Sequence, residues 1–230
     1  MKIFIPIKEN SQRVHRKNFR IFNGEPLYKH TLLKLSDFEV YVDTDSEEIF
    51  NDIKSDVRLK NVIIYKREKG LIGDNVSVCN LISYFIYKFS ITEPIIQIHV
   101  TSPFLNVQTI KNAYTYLQFN DSVVSCTKHN SRFWRSEDYG FCPVNHNPLR
   151  LEQTQDLPSL YEENSAFYIF KPDVLINLGG RIGQNPKFYP IEYPEFFDID
   201  TEEHWNIAKT IEKVLSYEDG MATNTITRSD

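Results

Sequence analysis

The densest concentration of reactive side chains follows the first apolar run of the chain. The segment reads Ile5-Pro6-Ile7-Lys8-Glu9-Asn10-Ser11-Gln12-Arg13-Val14-His15-Arg16-Lys17-Asn18. Residues 8–20 carry Lys8, Arg13, Arg16, Lys17 and Arg20 against Glu9 alone, a local charge of about +4. The chain as a whole carries a net charge of −5. Positive charge placed directly after a strand, with Asn and Ser as further donors, suits a polyphosphate. The bland alternative is a solvated basic loop. There is no Gly-x-Gly-x-x-Gly and no Gly-Lys-Ser/Thr, and the chain has only 8 glycines, so phosphate binding would lean on side chains more than on a glycine cradle.

A second constellation is Phe197-Asp198-Ile199-Asp200-Thr201-Glu202-Glu203. Residues two apart in an extended segment point to one face, so Asp198 and Asp200 form a carboxylate pair able to hold Mg²⁺ beside substrate phosphates. Helix capping by Asp200 or Thr201 explains the same residues, and the two roles are compatible. A third is Gln97-Ile98-His99-Val100-Thr101-Ser102-Pro103, where a strand ends in a hydroxyl pair before proline. These side chains face a ligand cleft or, equally, form a Ser/Thr turn that caps the next helix.

These groups need a scaffold that gathers strand ends. The sequence predicts strands at 3–7, 39–42, 62–65, 95–100, 122–127 and 166–170. It predicts helices at 27–35, 46–53, 77–89, 107–119 and 201–215. That alternation implies an α/β fold, a Rossmann-like, mainly parallel sheet with helices on both faces. Residues 128–163 break the pattern with Asn, Pro, Arg and aromatic residues and no sustained period, as expected of a lid, loop or arm. Residues 216–230 read as a polar, frayed tail.

The composition, 41% hydrophobic and 25% charged over 230 residues, supports a packed core. The acidic balance argues against a whole-protein nucleic-acid binder, no apolar run suits a membrane helix, and no signal peptide is read. Three cysteines do not make a disulfide scaffold, so a cytoplasmic location is expected. Cys126, His129, Cys142 and His146 have zinc-like intervals, but their alternating order favours a buried cysteine and exposed histidines.

Taken together, the three segments resemble the cytidylyltransferases that make CMP-activated acidic sugars: the acylneuraminate, pseudaminic and legionaminic acid synthetases, and more distantly the CMP-Kdo synthetases. The resemblance runs through Ile5-Pro6-Ile7-Lys8, Asn10-Ser11-Gln12-Arg13 and Lys17-Asn18. It continues with Asp43-Thr44-Asp45-Ser46, Arg67 through Asp74, Thr101-Ser102-Pro103, Leu157-Pro158, Asn164-Ser165-Ala166-Phe167-Tyr168-Ile169 and Asp198-Ile199-Asp200-Thr201. It spans about residues 3–215, with the motifs in family order.

The resemblance implies transfer of CMP from CTP to an acidic 2-keto-3-deoxy sugar with release of pyrophosphate, for surface polysaccharide or glycan synthesis. It implies that Lys8, Ser11, Arg13, Lys17 and Asn18 hold the triphosphate, with Arg67, Asp74 and Ser77 on the nucleoside. His99, Thr101, Ser102, Asn164 and Phe167 would line the sugar side, and Asp198 and Asp200 would bind Mg²⁺. Lys17, Arg13 and Asp200 would be catalytic, by positioning and charge neutralisation. Residues 1–127 and 164–215 would form the nucleotidyltransferase domain, and 128–163 a dimerisation arm or lid of a homodimer. Arg132-Phe133-Trp134-Arg135 suits such an interface.

Departures concentrate on the sugar side. Lys8 stands where Arg is usual, Glu9-Asn10 replaces a glycine-containing pair, and His15 replaces a common Pro. His99-Val100 replaces Gln-Pro, Thr154 replaces an Arg, and Ser165 replaces a Gly. They direct the expectation to a nonulosonic or ulosonic acid other than sialic acid. The rival readings are a nucleotidyltransferase using another nucleotide and a neutral sugar, and a non-catalytic dimeric nucleotide-binding relative.

Overall fold

The computed structural model describes residues 1–226. Strand β1 (Lys2–Ile7) opens the chain, and two short strands, β2 (Ile21–Phe22) and β3 (Glu25–Pro26), pair before helix α1 (Leu27–Leu33). The alternation continues through β4 (Glu39–Thr44), α2 (Glu47–Ser55), β5 (Val62–Lys66), α3 (Val78–Phe89), β6 (Ile95–Ile98), α4 (Val107–Tyr114) and β7 (Ser122–His129). A hairpin, β8 (Trp134–Glu137) and β9 (Gly140–Pro143), precedes β10 (Leu160–Phe170), α5 (Pro172–Leu178), β11 (Pro186–Pro190) and α6 (Glu202–Ile226).

Seven strands form one sheet in the order β11-β7-β10-β6-β1-β4-β5. All neighbours run parallel except β10, which is antiparallel to both β6 and β7. The mainly parallel α/β sheet expected from the alternation is therefore present.

The period-2 alternation of strand side chains explains the two cores. Ile3, Ile5 and Ile7 face one side with Tyr28 and Leu32 of α1, Ile49 and Ile53 of α2, and Ile110 of α4. Phe4 faces the other side and stacks on Phe85 of α3 at 5.0 Å. Full burial of such a side chain contributes roughly 1.5–3 kcal/mol, so both faces of β1 are firmly held and its C-terminal end is a fixed platform.

Helix starts are set locally. Ser46 Oγ accepts from the Ile49 amide at the head of α2, and Ser77 Oγ accepts from the Cys79 amide at the head of α3.

The irregular stretch 128–163 is more ordered than its sequence suggests. Its outer part is the β8–β9 hairpin, and its base is the continued pairing of β7 with β10, Leu160 opposite His129. The expected strand at 166–170 begins instead at Leu160. Its register shifts between Glu163 and Tyr168, where Ser165 adopts φ 60°. Such a bulge bends a strand, and here it lets one strand serve both sheet and arm.

Helix α5 and strand β11 had no clear sequence signal. The C-terminal helix continues past the expected end at 215 to Ile226, and the last four residues of the expected tail lie outside the described residues. No helix among the described residues is long and apolar enough to cross a membrane.

Candidate active site

A cavity of about 280 Å³ opens at the C-terminal ends of β1 and β6. Open parallel sheets bind ligands there. Lys8, Ser11, Arg13, Lys17, Asn18, Asp74, His99 and Thr101 line it, together with Asn10 and Gln12. Eight of the expected site residues thus converge on one space.

The loop after β1 is braced rather than free. The Asn18 side-chain amide donates to the Lys8 carbonyl (2.7 Å), closing the loop across its base, and Asn18 is itself buried. The Glu9 amide donates to Asp45 Oδ1 (2.7 Å). Gln12 Nε2 donates to Asp74 Oδ2 (2.8 Å), while Lys8 Nζ lies 3.5 Å from Asp74 Oδ1. Arg16 takes a left-handed conformation, φ 47°, at the turn into Lys17, a position uncommon for a residue with a Cβ.

The aspartate pair comes from the far end of the chain. Ile199 is fully buried with Phe22, Leu27 and Trp205, and its amide donates to the Thr101 carbonyl (2.9 Å). With Ile199 turned inward, Asp198 and Asp200 on either side of it are turned toward the basic loop. Arg13 Nη2 reaches Asp200 Oδ1 at 2.7 Å, and Lys17 Nζ lies 3.7 Å from the same oxygen. Lys17 also donates to the Ile199 carbonyl. Thr201 caps α6 with the His204 amide on its hydroxyl (3.1 Å), so the capping and site readings of this segment hold side by side.

Burial dominates the titration of these groups. It lowers the Lys17 ammonium from its ordinary range, against the pull of Asp198 and Asp200. It raises the Asp198 carboxyl, opposed by the Thr101 hydroxyl. Burial, with Arg181 and Lys17 nearby, pushes His99 down to about 4, so its imidazole is neutral at pH 7.

A carboxylate whose charged form is disfavoured by burial is one that a cation would relieve. Asp198, Asp200 and the Thr101 hydroxyl offer hard oxygen donors, which fits Mg²⁺ completed by phosphate and water. Among the described residues, no group of three or more His, Cys, Asp or Glu side chains is placed to hold a metal ion. Cys126, His129, Cys142 and His146 are likewise not assembled. Cys126 is buried in β7, His129 pairs with Glu162 (2.8 Å), and Cys142 donates to Glu137 (3.2 Å).

Seven expected site residues are not part of this lining: Asp198 and Asp200, which border it through Arg13 and Lys17, and five that lie elsewhere. Arg67 is buried and paired to Asp43, with Asp45 Oδ2 at 3.6 Å, so it holds the turn that receives the Glu9 amide. Ser77 caps α3. Ser102 is buried on the other side of the strand end, against Thr31, Lys34 and Ile110. Asn164 donates to Thr127 Oγ1 (3.2 Å) at the β10 bulge, and Phe167 is wholly within the core.

Gln12 and Gln97 lie in segments singled out in the sequence but carried no assigned role there; Gln12 bridges to Asp74. Gln97 Nε2 lies 2.8 Å from His99 Nε2. The signal for Gln97 was present, since it is two residues before His99 on the same strand face.

A CMP-Kdo synthetase solved with CTP superposes with a TM-score of 0.63 at 14% identity, covering 94% of this chain and 98% of that one. A 4-diphosphocytidyl-2C-methyl-D-erythritol synthase from Anaerococcus prevotii gives 0.62 at 14% identity, with 92% and 96% covered. These likenesses establish the fold.

In sequence, the chain is 26% identical over 226 residues to the CMP-N,N'-diacetyllegionaminic acid synthase of Legionella pneumophila, covering 90% of this chain and 94% of that protein. It is 25% identical over 224 residues to the pseudaminic acid cytidylyltransferase of Campylobacter jejuni, covering 91% and 95%. It is 24% identical over 210 residues to the N-acylneuraminate cytidylyltransferase of Streptococcus agalactiae, covering 86% of this chain but spanning only 50% of that longer protein. The family described as Cytidylyltransferase matches residues 3–221, the same span that carries the basic loop, the strand-end hydroxyls and the aspartate pair, and the chain belongs to that family.

Proposed function

We propose that this protein transfers CMP from CTP to an acidic 2-keto-3-deoxy sugar, a nonulosonic or ulosonic acid, and releases pyrophosphate. The observation that carries this reading is the meeting of Arg13 and Lys17 with Asp198 and Asp200 at the strand ends. Cations suited to a triphosphate line the cavity, and carboxylates suited to a metal lie against those same cations.

The anomeric hydroxyl oxygen forms a bond to the α-phosphorus, and the bond from that phosphorus to the bridging oxygen breaks. Pyrophosphate carries away the electron pair, and the hydroxyl proton passes to solvent. Lys17, desolvated and fixed, steadies charge on the phosphate as it develops, and Arg13 orients the chain of phosphates. Lys8 and Ser11 hold the outer phosphates, while Asn18 keeps the loop in shape. Mg²⁺ held by Asp198 and Asp200 would neutralise phosphate charge.

The β8–β9 hairpin carries exposed Trp134, Tyr139 and Phe141 on a projecting arm, which supports a homodimer.

Pyrophosphate release tests the reading. CTP and Mg²⁺ are supplied with N-acetylneuraminate, Kdo, 8-amino-Kdo, legionaminate or pseudaminate, with UTP as control. Release with CTP and at least one of these acids is expected. Release only with another nucleotide or a neutral sugar would replace the reading.

A further inference from the structure

Every arginine side chain placed among the described residues has a carboxylate partner except two. Arg132 is exposed and donates to the Glu152 carbonyl. Arg181 is different, because it is half-buried and is joined through Gln97 to His99 of the cavity lining. Its guanidinium lies over the Tyr168 ring at 3.6 Å from the centroid, and its Nη1 donates to Gln97 Oε1. A cation withdrawn from water without an ion-pair partner is uncommon, since such charges are normally matched.

The loop that carries Arg181 is held in one geometry. Asp121 Oδ2 accepts from the Gln184 amide (2.8 Å) and the Asn185 amide (2.9 Å), and Ser122 Oγ accepts from the Gly183 amide (2.9 Å). A Cβ on Gly183 would stand 2.3 Å from the Asp121 carboxyl carbon, so only glycine permits this approach.

From this loop a polar row leads into the cavity. Gln97 and Tyr168 are register partners on β6 and β10, and both are wholly buried. Arginine can only donate, so the Gln97 carbonyl faces Arg181 and its amide donates to His99 Nε2. The His99 proton therefore sits on Nδ1, and His99 lines the cavity beside Lys17 and Thr101. The carboxylate on this row, Glu163, accepts from the Tyr168 hydroxyl and makes no ion pair with Arg181.

We propose that Arg181 is a specificity-determining residue that binds the carboxylate of the acceptor sugar, aided by the Nδ1–H of His99. This rests on the acidic-sugar reading given above. One donor of the fork is engaged by Gln97, and the remaining donors suit a planar carboxylate. In a 2-keto sugar acid the carboxylate is bonded to the anomeric carbon itself. Holding it fixes the attacking hydroxyl relative to the phosphate.

The test compares wild type, Arg181→Gln, Arg181→Lys and Gly183→Ala on the panel acids and their methyl esters, with CTP binding measured in parallel. Arg181→Gln is expected to lower kcat/KM for the preferred acid by about 100-fold, mainly through KM. Its effect on the methyl ester and on CTP affinity should stay within about threefold on the same scale. Arg181→Lys should recover part of the loss, and Gly183→Ala should raise KM for the acid alone. Equal losses on acid and ester, or no loss on either, would overturn the role of Arg181 and leave the acidic-sugar reading standing. Wild type that accepts only a neutral sugar would overturn both.

Discussion

Arg13 and Lys17 both reach Asp200, but the two contacts differ in kind. The Arg13 side chain is 67% exposed, and an ion pair in that setting contributes about 0–1 kcal/mol, so phosphate oxygens can take its place readily. Lys17 is 12% exposed and committed to the aspartate segment, so it acts as a fixed charge.

Asp198 carries a stability cost that the proposed metal-binding role would explain. Its carboxyl titrates above the unfolded range of about 4 because it is buried. Between the unfolded and folded values the native state holds more protons, so stability falls as pH rises through that window. Asp198→Asn should raise Tm at neutral pH by about 2–4 °C, the shift that ~1 kcal/mol gives in a chain of this size. The gain should vanish below about pH 4 while turnover is lost. Calorimetry across pH with parallel assays checks both. A lowered Tm at neutral pH would contradict the burial argument.

His99 works in the opposite sense. Its folded pKa of about 4 lies below the unfolded value, so the unfolded chain binds more protons between the two and stability falls as pH drops through that window. His99→Gln should flatten this acid limb of the melting curve. An unchanged limb would refute it.

At the scale of elements, the loop between β1 and α1 depends on Asn18. Its side-chain amide closes the loop on the Lys8 carbonyl inside a buried setting. Asn18→Ala should destabilise the fold by about 1–3 kcal/mol, the cost of a buried partner left unmatched. It should also raise KM for CTP more than it lowers kcat. Thermal melts and initial rates decide this, and unaltered CTP affinity would remove Asn18 from the phosphate-binding loop.

The loop and the aspartate pair were legible because charge contrast and an i, i+2 spacing are local signals. The Ile199 anchor made the spacing meaningful, since burying one residue aims its two neighbours. Arg181 and Gln97 were less legible. Arg181 lies in a connection whose flanking elements, α5 and β11, lack a strong period. Its significance comes from Tyr168 and Asp121, which are distant in sequence.

Across the whole molecule, the strand order brings residues from both ends of the chain to one rim. The alternating pattern made the parallel part of the sheet readable. The antiparallel strand β10 was readable only in its buried half, because residues 160–165 leave the core and lose the apolar alternation. The same bulge gives the arm its stalk, and the arm leaves Tyr139 fully exposed and Phe141 71% exposed. Exposed aromatic residues of this size call for a covering surface. If the homodimer proposed above forms, Tyr139→Glu with Phe141→Glu should make it monomeric in sedimentation velocity without loss of fold. A wild-type monomer at micromolar concentration would contradict the dimer.

The central claim is that the cavity between the basic loop and the aspartate pair joins CMP to an acidic sugar. The most direct measurement is mass-spectrometric identification of products from CTP, Mg²⁺ and the acidic-sugar panel, with wild type and Asp200→Asn side by side. Wild type should yield a CMP-sugar and pyrophosphate in equal amounts. Asp200→Asn should remain folded and yield neither. A CMP-sugar formed at an undiminished rate by Asp200→Asn, or products other than this pair from wild type, would contradict the account.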